Sequence, residues 1–199
     1  MLLFGHPHSP YVRKVRMAAI EMELDGLIDF VVIHPQDAES GLREHNPLAR
    51  IPTLVTDDDV SVYDSRVIIE YLDHNGPGRK LIPPPGPARW AALTVAALGD
   101  GIIDAAVPRR NEMQRPAAQQ SRETLERLRI DVSRALNKLE ASTDALRVVD
   151  IGSVTVAAAL AYLDFRFAAE RWRDSRPRLA GWCDGFATRR SWRETAPAP

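Results

Sequence analysis

The sequence predicts an α+β/α protein of two domains, an α/β unit of order β-α-β-α-β-β-α followed by an all-α helical bundle. Strand and helix signals alternate over residues 1–75, whereas every periodic apolar segment after residue 88 has helical spacing. Residues 76–87 lie between them and contain two glycine–proline pairs and three consecutive prolines, which no helix or interior strand tolerates. We therefore predict domains at 1–75 and 88–199, joined by a linker at 76–87. A length of 199 residues fits one to two domains.

The elements of the first domain follow from short apolar runs and from helical spacing. Apolar residues recur at intervals of three, four and three over residues 12–22, which is one face of a helix. Two short apolar runs flank Asp57–Asp59, and this polar turn predicts a hairpin. The predicted strands are 2–4, 28–33, 53–55 and 60–62, and the main helices have apolar faces over 12–22 and 67–72.

The second domain is predicted from four apolar helical segments. Residues 88–107 carry almost no charge, so this helix is expected to be covered on several sides, and Pro108 is expected to end or kink it. Residues 154–163 are apolar nearly all round, which indicates a helix buried on all faces. The other two helices are predicted around 125–139, which is amphipathic, and around 177–190.

Composition narrows the function classes. The 26 Lys and Arg residues nearly balance the 27 Asp and Glu residues, which argues against general nucleic-acid binding. Residues 1–75 hold 6 basic and 13 acidic side chains, whereas residues 76–199 hold 20 and 14, a change of sign that is consistent with two units. The single cysteine, Cys183, excludes an internal disulfide and an all-cysteine metal site. No apolar run approaches the ~18 residues of a membrane helix, so we expect a cytoplasmic protein without a membrane or nucleic-acid partner.

The first chemical motif is HSPYVRKV at residues 8–15. Ser9 is a favourable N-cap, and Pro10 suits the first position of a helix. Because the motif follows a strand and opens a helix, backbone N–H groups and the positive helix end point at one spot. Such a spot stabilises an anion, including a thiolate. The alternative is that Ser9 only caps the helix.

The second motif is NPLARIPTLV at residues 46–55. Pro52 stands at the start of a strand, where a proline is tolerated, and the Ile51–Pro52 bond is a candidate cis peptide. A cis turn there would leave the N–H and C=O of Ile51 available to pair with an extended, peptide-like ligand. An ordinary trans proline at the strand start is the alternative.

The third motif is YDSRVIIEYL at residues 63–72, with Asp64 and Ser65 at the start of a helix. One of the two caps the helix, and the N–H groups there, together with the serine hydroxyl, suit a carboxylate. Asp64 suits an ammonium group. The pair would therefore fit the end of an amino acid, unless both residues serve only as caps.

The three motifs occur in this order within one β-α-β-α-β-β-α unit followed by an all-helical domain, and the combination resembles the glutathione S-transferase superfamily. Within it, the chain resembles the cytosolic, bacterial-like type that has serine at the catalytic position. The resemblance implies a thioredoxin-like N-terminal domain with a cis proline at Pro52, a helical C-terminal domain, a homodimer and a role in detoxification. It implies glutathione as co-substrate and no metal. Residues 150–154 resemble the family's capping box, with Asp150 as N-cap and Ser153 at the third helical position.

The resemblance assigns roles to six residues at the glutathione site. Ser9 matches the position that contacts the glutathione sulfur, and the backbone of Ile51, before Pro52, would pair with the cysteinyl unit. The γ-glutamyl ammonium and carboxylate would be held by Asp64 and Ser65, and the glycyl end would lie near Arg50. Position 9 is serine, so this chain forms no mixed disulfide with glutathione there.

The implied activity is attack of the glutathione thiolate on a small electrophile. The candidate residues for the second substrate are Tyr11, Ile103, Val107 and Arg110, and a mixed apolar and basic lining would suit an anionic or polarised electrophile. Cys183 is expected to be a small core residue rather than a nucleophile. Two other functions stay open: a non-catalytic member that binds glutathione or a protein partner, and a glutathione-dependent isomerase or dehalogenase.

Overall fold

The computed structural model describes residues 1–34 and 40–197. Contacts between residues divide the chain into two compact units. The N-terminal unit comprises Met1–Pro84 and the C-terminal segment from Thr188, and the helical unit comprises Pro85–Ala187.

The N-terminal unit is built around a four-stranded mixed sheet, and its element order is the predicted one. The strand order is β2-β1-β3-β4; β1 pairs in parallel with β2 and antiparallel with β3, and β3 pairs antiparallel with β4. This is the predicted thioredoxin-like arrangement. Its elements are β1 (Leu2–Gly5), α1 (Pro10–Glu21), β2 (Asp29–Val32), α2 (Leu42–His45), β3 (Thr53–Val55), β4 (Ser61–Val62) and α3 (Ser65–Asn75).

The core of this unit comes from the apolar periodicity of its helices and strands. Val12 and Val15 of α1 and Ile68 of α3 are fully buried, and the two helices pack against each other. Leu3 and Leu54 are buried partners across β1 and β3. Burial of each such side chain stabilises the fold by roughly 1.5–3 kcal/mol.

The predicted linker is anchored to the N-terminal unit. The carboxylate of Asp73, near the end of α3, accepts hydrogen bonds from the backbone N–H groups of Leu81 and Ile82 at 2.5 and 3.0 Å. Lys80 donates to three carbonyl groups at the C-terminal end of α3, where a cation is favoured. A Cβ on Gly78 would lie 1.9 Å from the carbonyl oxygen of Met22, so the chain passes too close to α1 for any side chain at this position.

The last helix, α8 (Arg190–Glu194), packs against α1. Arg13 of α1 donates to the Trp192 carbonyl oxygen at 3.2 Å and stacks on the Trp192 ring at 4.8 Å. Glu21, at the other end of α1, pairs with Arg189 at 2.7 Å and accepts from Ser191 at 2.6 Å. The sequence predicts a helical domain at residues 88–199, whereas in the structure the segment from Thr188 belongs to the N-terminal unit.

The helical unit contains the four predicted helices, with two changes in their bounds. They are α4 (Pro87–Met113), α5 (Arg122–Ala141), α6 (Ile151–Arg166) and α7 (Pro177–Ala187). The prediction that Pro108 could end α4 was wrong, since the helix continues through Pro108 to Met113. The helix predicted around 177–190 ends at Ala187, and α8 begins separately at Arg190.

Helix α6 is the centre of the helical unit, as its apolar sequence predicts. Residues 151–163 are all buried. The capping box is present: the Asp150 carboxylate accepts from the Ser153 N–H and the Ser153 hydroxyl accepts from the Asp150 N–H, both at 3.0 Å. Gly99 of α4 meets this helix closely, because a Cβ there would lie 2.9 Å from the Val156 nitrogen and 3.0 Å from the Thr155 carbonyl carbon.

We expect Gly99→Ala to destabilise the helical unit by roughly 1–2 kcal/mol. Overpacking costs about 1–3 kcal/mol and outweighs a helix-propensity gain of at most about 1 kcal/mol. Gly101→Ala on the same helix is the matched control, since a Cβ there meets no atom of the described residues within 4 Å. This control should stabilise the protein by about 0.5–1 kcal/mol in chemical denaturation. Equal effects of the two substitutions would contradict the close helix contact.

Helix α4 contradicts the expectation that the chain has no apolar run of membrane-spanning length. It contains an 18-residue window that is long and apolar enough to cross a membrane, although no such run was expected. Just under half of that window is buried, and α4 packs against α5 and α6. Core helices of soluble proteins have the same length and composition, so the expected absence of a membrane partner stays a prediction.

Candidate functional site

Ser9 begins α1 as its N-cap, with Pro10 at the next position. Its hydroxyl oxygen accepts from the Val12 N–H at 3.4 Å, a long contact, and its own N–H donates to the His6 carbonyl oxygen at 2.9 Å. Within residues 1–34 and 40–197, no acceptor takes the hydrogen of the Ser9 hydroxyl. The half-buried side chain can therefore donate one hydrogen bond to a ligand at the positive end of α1.

Ile51 precedes β3, and the Ile51–Pro52 peptide bond is cis. The Ile51 side chain packs against a buried cluster formed by Phe4, Leu42 and Val55. Ile51 lies outside the paired residues of β3 in both of its ladders. Its side chain thus faces the apolar interior, while its backbone stands beside a strand end.

Asn46 and Thr53 hold the loop that contains Arg50 and Ile51. The Asn46 side-chain amide donates to the Arg50 carbonyl oxygen at 3.1 Å and to the Thr53 hydroxyl at 3.0 Å, and this hydroxyl donates to the same carbonyl at 2.9 Å. Both polar residues are at most 1% exposed. Sequence reasoning missed this role, for which the Asn46–Pro47 turn signal was the available clue. The Arg50 side chain is exposed.

Asp64 and Ser65 begin α3. The Asp64 carboxylate is the N-cap and accepts from the Arg66 N–H at 2.9 Å, and its side chain is exposed. Ser65 is 3% exposed, and its hydroxyl has no hydrogen-bond partner within the described part of the chain. The Tyr63–Asp64 peptide bond is cis. Capping by Asp64 leaves the Ser65 hydroxyl and the other N–H groups of the first turn for an anion.

The sheet topology brings the three motifs to one edge. Phe4, near the end of β1, pairs with Thr53 at the start of β3, and Leu54 of β3 pairs with Val62 at the end of β4. The chain leaves β1 toward Ser9 and leaves β4 toward Asp64 at this same edge. The N-termini of α1 and α3 and the backbone of Ile51 therefore share one end of the sheet, which is an arrangement suited to an extended anionic ligand.

The residues predicted for a second substrate differ in accessibility. Ile103 is fully buried at 0% exposure, so its side chain packs in the interior of the helical unit and presents no surface to a ligand. Tyr11, Val107 and Arg110 are half-buried.

Cys183 is fully buried, as expected of a core residue. Burial raises the pKa of its thiol to about 12, although the nearby Arg173 guanidinium opposes this shift. A thiol with that pKa is almost entirely protonated near neutral pH and is not a nucleophile there. Across the part of the chain that the structure describes, no three His, Cys, Asp or Glu side chains are grouped so as to hold a metal ion.

Residues 3–80 match the family described as "Glutathione S-transferase, N-terminal domain". The chain is 32% identical over 201 residues to the uncharacterized GST-like protein YibF of Escherichia coli (strain K12), covering 99% of this chain and 98% of that relative. It is similar to a glutathione transferase family member from Pseudomonas fluorescens Pf-5, whose crystal structure with bound glutathione has 39% identity and a TM-score of 0.94 over 100% of this chain and 99% of that one. A second Pf-5 structure, with bound S-(propanoic acid)-glutathione, has 39% identity and a TM-score of 0.92 over the full length of both chains. The chain therefore belongs to the glutathione S-transferase family.

Proposed function

We propose that this chain is a glutathione transferase that binds glutathione at the shared sheet edge and activates its thiol with the Ser9 hydroxyl. The proposal rests mainly on the Ser9 hydroxyl, which lies at the start of α1. This hydroxyl donates no hydrogen bond to any described residue, so it is available to a ligand. Glutathione bound to the Pf-5 relative supports the choice of ligand. The S-(propanoic acid)-glutathione bound to the same relative supports a site that accepts a substituent on the sulfur.

Each end of glutathione has a matching group in this proposal. Asp64 and Ser65 hold the γ-glutamyl ammonium and carboxylate. The backbone of Ile51 pairs with the cysteinyl unit, since this residue stands outside the ladders of β3. Arg50 lies toward the glycyl carboxylate, and its exposed guanidinium is a suitable partner for that charge.

The Ser9 hydroxyl and the positive end of α1 together supply enough free energy to ionise the glutathione thiol near neutral pH without a further base. A cysteine thiol titrates near 8.5, and lowering its pKa by about two units requires roughly 2.7 kcal/mol of preferential thiolate stabilisation. A charge-assisted hydrogen bond from Ser9 contributes about 1.5–3 kcal/mol. The positive end of α1 adds about 0.3–1 kcal/mol. The thiol proton passes to solvent, and the thiolate attacks the electrophile to form a carbon–sulfur bond. In a substitution the leaving group departs with the electron pair of its bond; in an addition the π-bond of the acceptor breaks and the resulting carbanion takes a proton from solvent.

Calorimetric titration with reduced glutathione, with thiolate absorbance recorded across pH, tests the proposal. We expect saturable binding and a thiolate signal that appears below pH 7.5, about one unit under the free thiol. S-methylglutathione is the matched control, because it keeps every contact except the ionisable thiol. Binding without a depressed thiol pKa would contradict the transferase and favour a glutathione-binding protein. No binding at millimolar glutathione would overturn the proposal altogether.

The finer expectations stay predictions. They are a homodimer, a cytoplasmic location and second-substrate contacts from Tyr11, Val107 and Arg110. Product analysis with candidate electrophiles would separate conjugation from isomerisation or dehalogenation, because these reactions share the thiolate and differ in their products.

A further inference from the structure

Two arginines of the helical unit have no acidic partner within the described residues. Arg166 is the last residue of α6 and forms no ion pair there, and the side-chain hydrogen bond of Arg110 on α4 goes to the neutral Gln114 at 2.8 Å. Their neighbours are neutralised, since Arg109 pairs with Glu170 and Arg173 pairs with Asp164. Arg110 and Arg166 therefore carry uncompensated positive charge in this unit.

Tyr162 lies beside Arg166 on α6. It lies four residues before Arg166 on α6, so both side chains are on one face of the helix. Tyr162 is 7% exposed, and its hydroxyl has no hydrogen-bond partner in the described part of the chain. The Nε atom of Arg166 is buried and makes no hydrogen bond to any residue that the structure describes, while the Arg166 guanidinium carbon lies 3.8 Å from the centre of the Phe165 ring.

These three groups interact electrostatically. Burial lowers the pKa of Arg166, and the like charge of Arg110 lowers it further, whereas Tyr162 opposes the change. Burial raises the pKa of Tyr162, and both arginines oppose that shift. Arg110 lies on α4 and the other two on α6, the helix that α4 packs against. Two like-charged guanidinium groups on packed helices, one of them with a buried nitrogen that lacks a hydrogen-bond partner among the described residues, are costly unless an anion joins them.

We propose that Arg110, Arg166 and Tyr162 form an anion-binding site that holds the carboxylate of a small organic acid. The planar guanidinium fork matches the two oxygens of a carboxylate, and the Tyr162 hydroxyl adds a third donor. The consequence for catalysis, which rests on the proposed function, is that the enzyme selects electrophiles that carry a carboxylate.

The test compares two electrophiles of nearly equal size, 4-chloro-3-nitrobenzoate and 4-chloro-3-nitrobenzamide. In both, the glutathione sulfur bonds to the ring carbon and chloride leaves with the electron pair of its bond. We expect Arg166→Met to lower kcat/KM for the acid by tenfold or more and to change that for the amide by less than twofold. Arg147→Met is the matched control, since Arg147 is a largely exposed surface residue paired with Asp144. An equal loss for the acid and the amide would overturn the inference.

Binding of the acid without glutathione separates this inference from the proposed function. We expect millimolar 4-chloro-3-nitrobenzoate to raise the Tm of the wild-type protein, and Arg166→Met and Tyr162→Phe to reduce that rise while Arg166→Lys retains part of it. Acid binding that depends on Arg166 in a protein without transferase activity would keep the site and refute the transferase. Conjugation of both electrophiles with no effect of Arg166 would keep the transferase and refute the site.

Discussion

Replacing Ser9 with alanine should raise the pKa of the bound glutathione thiol and lower turnover at pH 7 by roughly 10- to 100-fold. The range corresponds to the about 1.5–3 kcal/mol of a charge-assisted hydrogen bond, at about 1.4 kcal/mol for each factor of ten. The loss should shrink as the pH rises through the new thiol pKa, because the thiolate then forms without help. The measurement is a pH–rate profile for kcat together with thiolate absorbance of the complex.

The same substitution removes a helix cap, so its catalytic effect needs a control. Ser121 is the N-cap of α5, and its hydroxyl accepts from the Thr124 N–H at 3.2 Å, so Ser121→Ala removes a comparable cap. Both variants should lose about 0.5–2 kcal/mol of stability, but only Ser9→Ala should shift the pH–rate profile. An unchanged profile in Ser9→Ala would remove this hydroxyl from the mechanism.

Replacing Glu21 with glutamine should destabilise the N-terminal unit by about 2 kcal/mol at pH 7. The Glu21 side chain is 6% exposed and accepts two hydrogen bonds from Arg189 and one from Ser191, so the contact joins α1 to the C-terminal segment. Hydrogen bonds to a charged group contribute about 1.5–3 kcal/mol, and partial exposure of Arg189 reduces that figure. Chemical denaturation at constant salt measures the difference.

The pH dependence of this effect has a definite sign. Burial alone would raise the pKa of Glu21, but the hydrogen bonds from Arg189 and Ser191 outweigh it, and the pKa lies below its ordinary value of 4.5. The ion pair therefore contributes its stability above pH 4.5, and the contribution is lost as the pH falls through the lower pKa of the folded state. The difference between wild type and Glu21→Gln should narrow over that range.

The surface pair of Arg190 and Glu194 provides the control for Glu21. Both side chains are about half exposed and lie four residues apart on α8. Glu194→Gln should change stability by less than about 0.5 kcal/mol. Losses of the same size for Glu21→Gln and Glu194→Gln would contradict the role of Glu21 in holding the C-terminal segment.

Local signals predicted the elements of this fold well. The period of apolar residues identified α1, α3 and α5, the nearly continuous apolar run at 154–163 identified α6, and the polar turn at Asp57–Asp59 identified the hairpin. The capping box of α6 was readable from Asp150 and Ser153 because its hydrogen bonds join residues three apart. These features depend on neighbours along the chain, which a sequence displays directly.

Pro108 shows where local reasoning fails. A proline in a helix removes one backbone hydrogen bond and usually ends or kinks the helix. Helix α4, which packs against α5 and α6, nevertheless continues past Pro108 to Met113. Tertiary burial of a long apolar helix can outweigh a local cost of about 3 kcal/mol.

The sequence by itself determined the order of elements, the caps of the helices and the residue types at the three motifs, since each depends on contacts within a few residues. Only the tertiary structure decided that the three motifs share one sheet edge and that the segment from Thr188 packs on α1. It also decided that Arg110 and Arg166 have no acidic partner among residues 1–34 and 40–197, while Arg109 and Arg173 are paired. These features join residues tens of positions apart. Their pairing depends on strand register and helix packing, which local propensity does not encode.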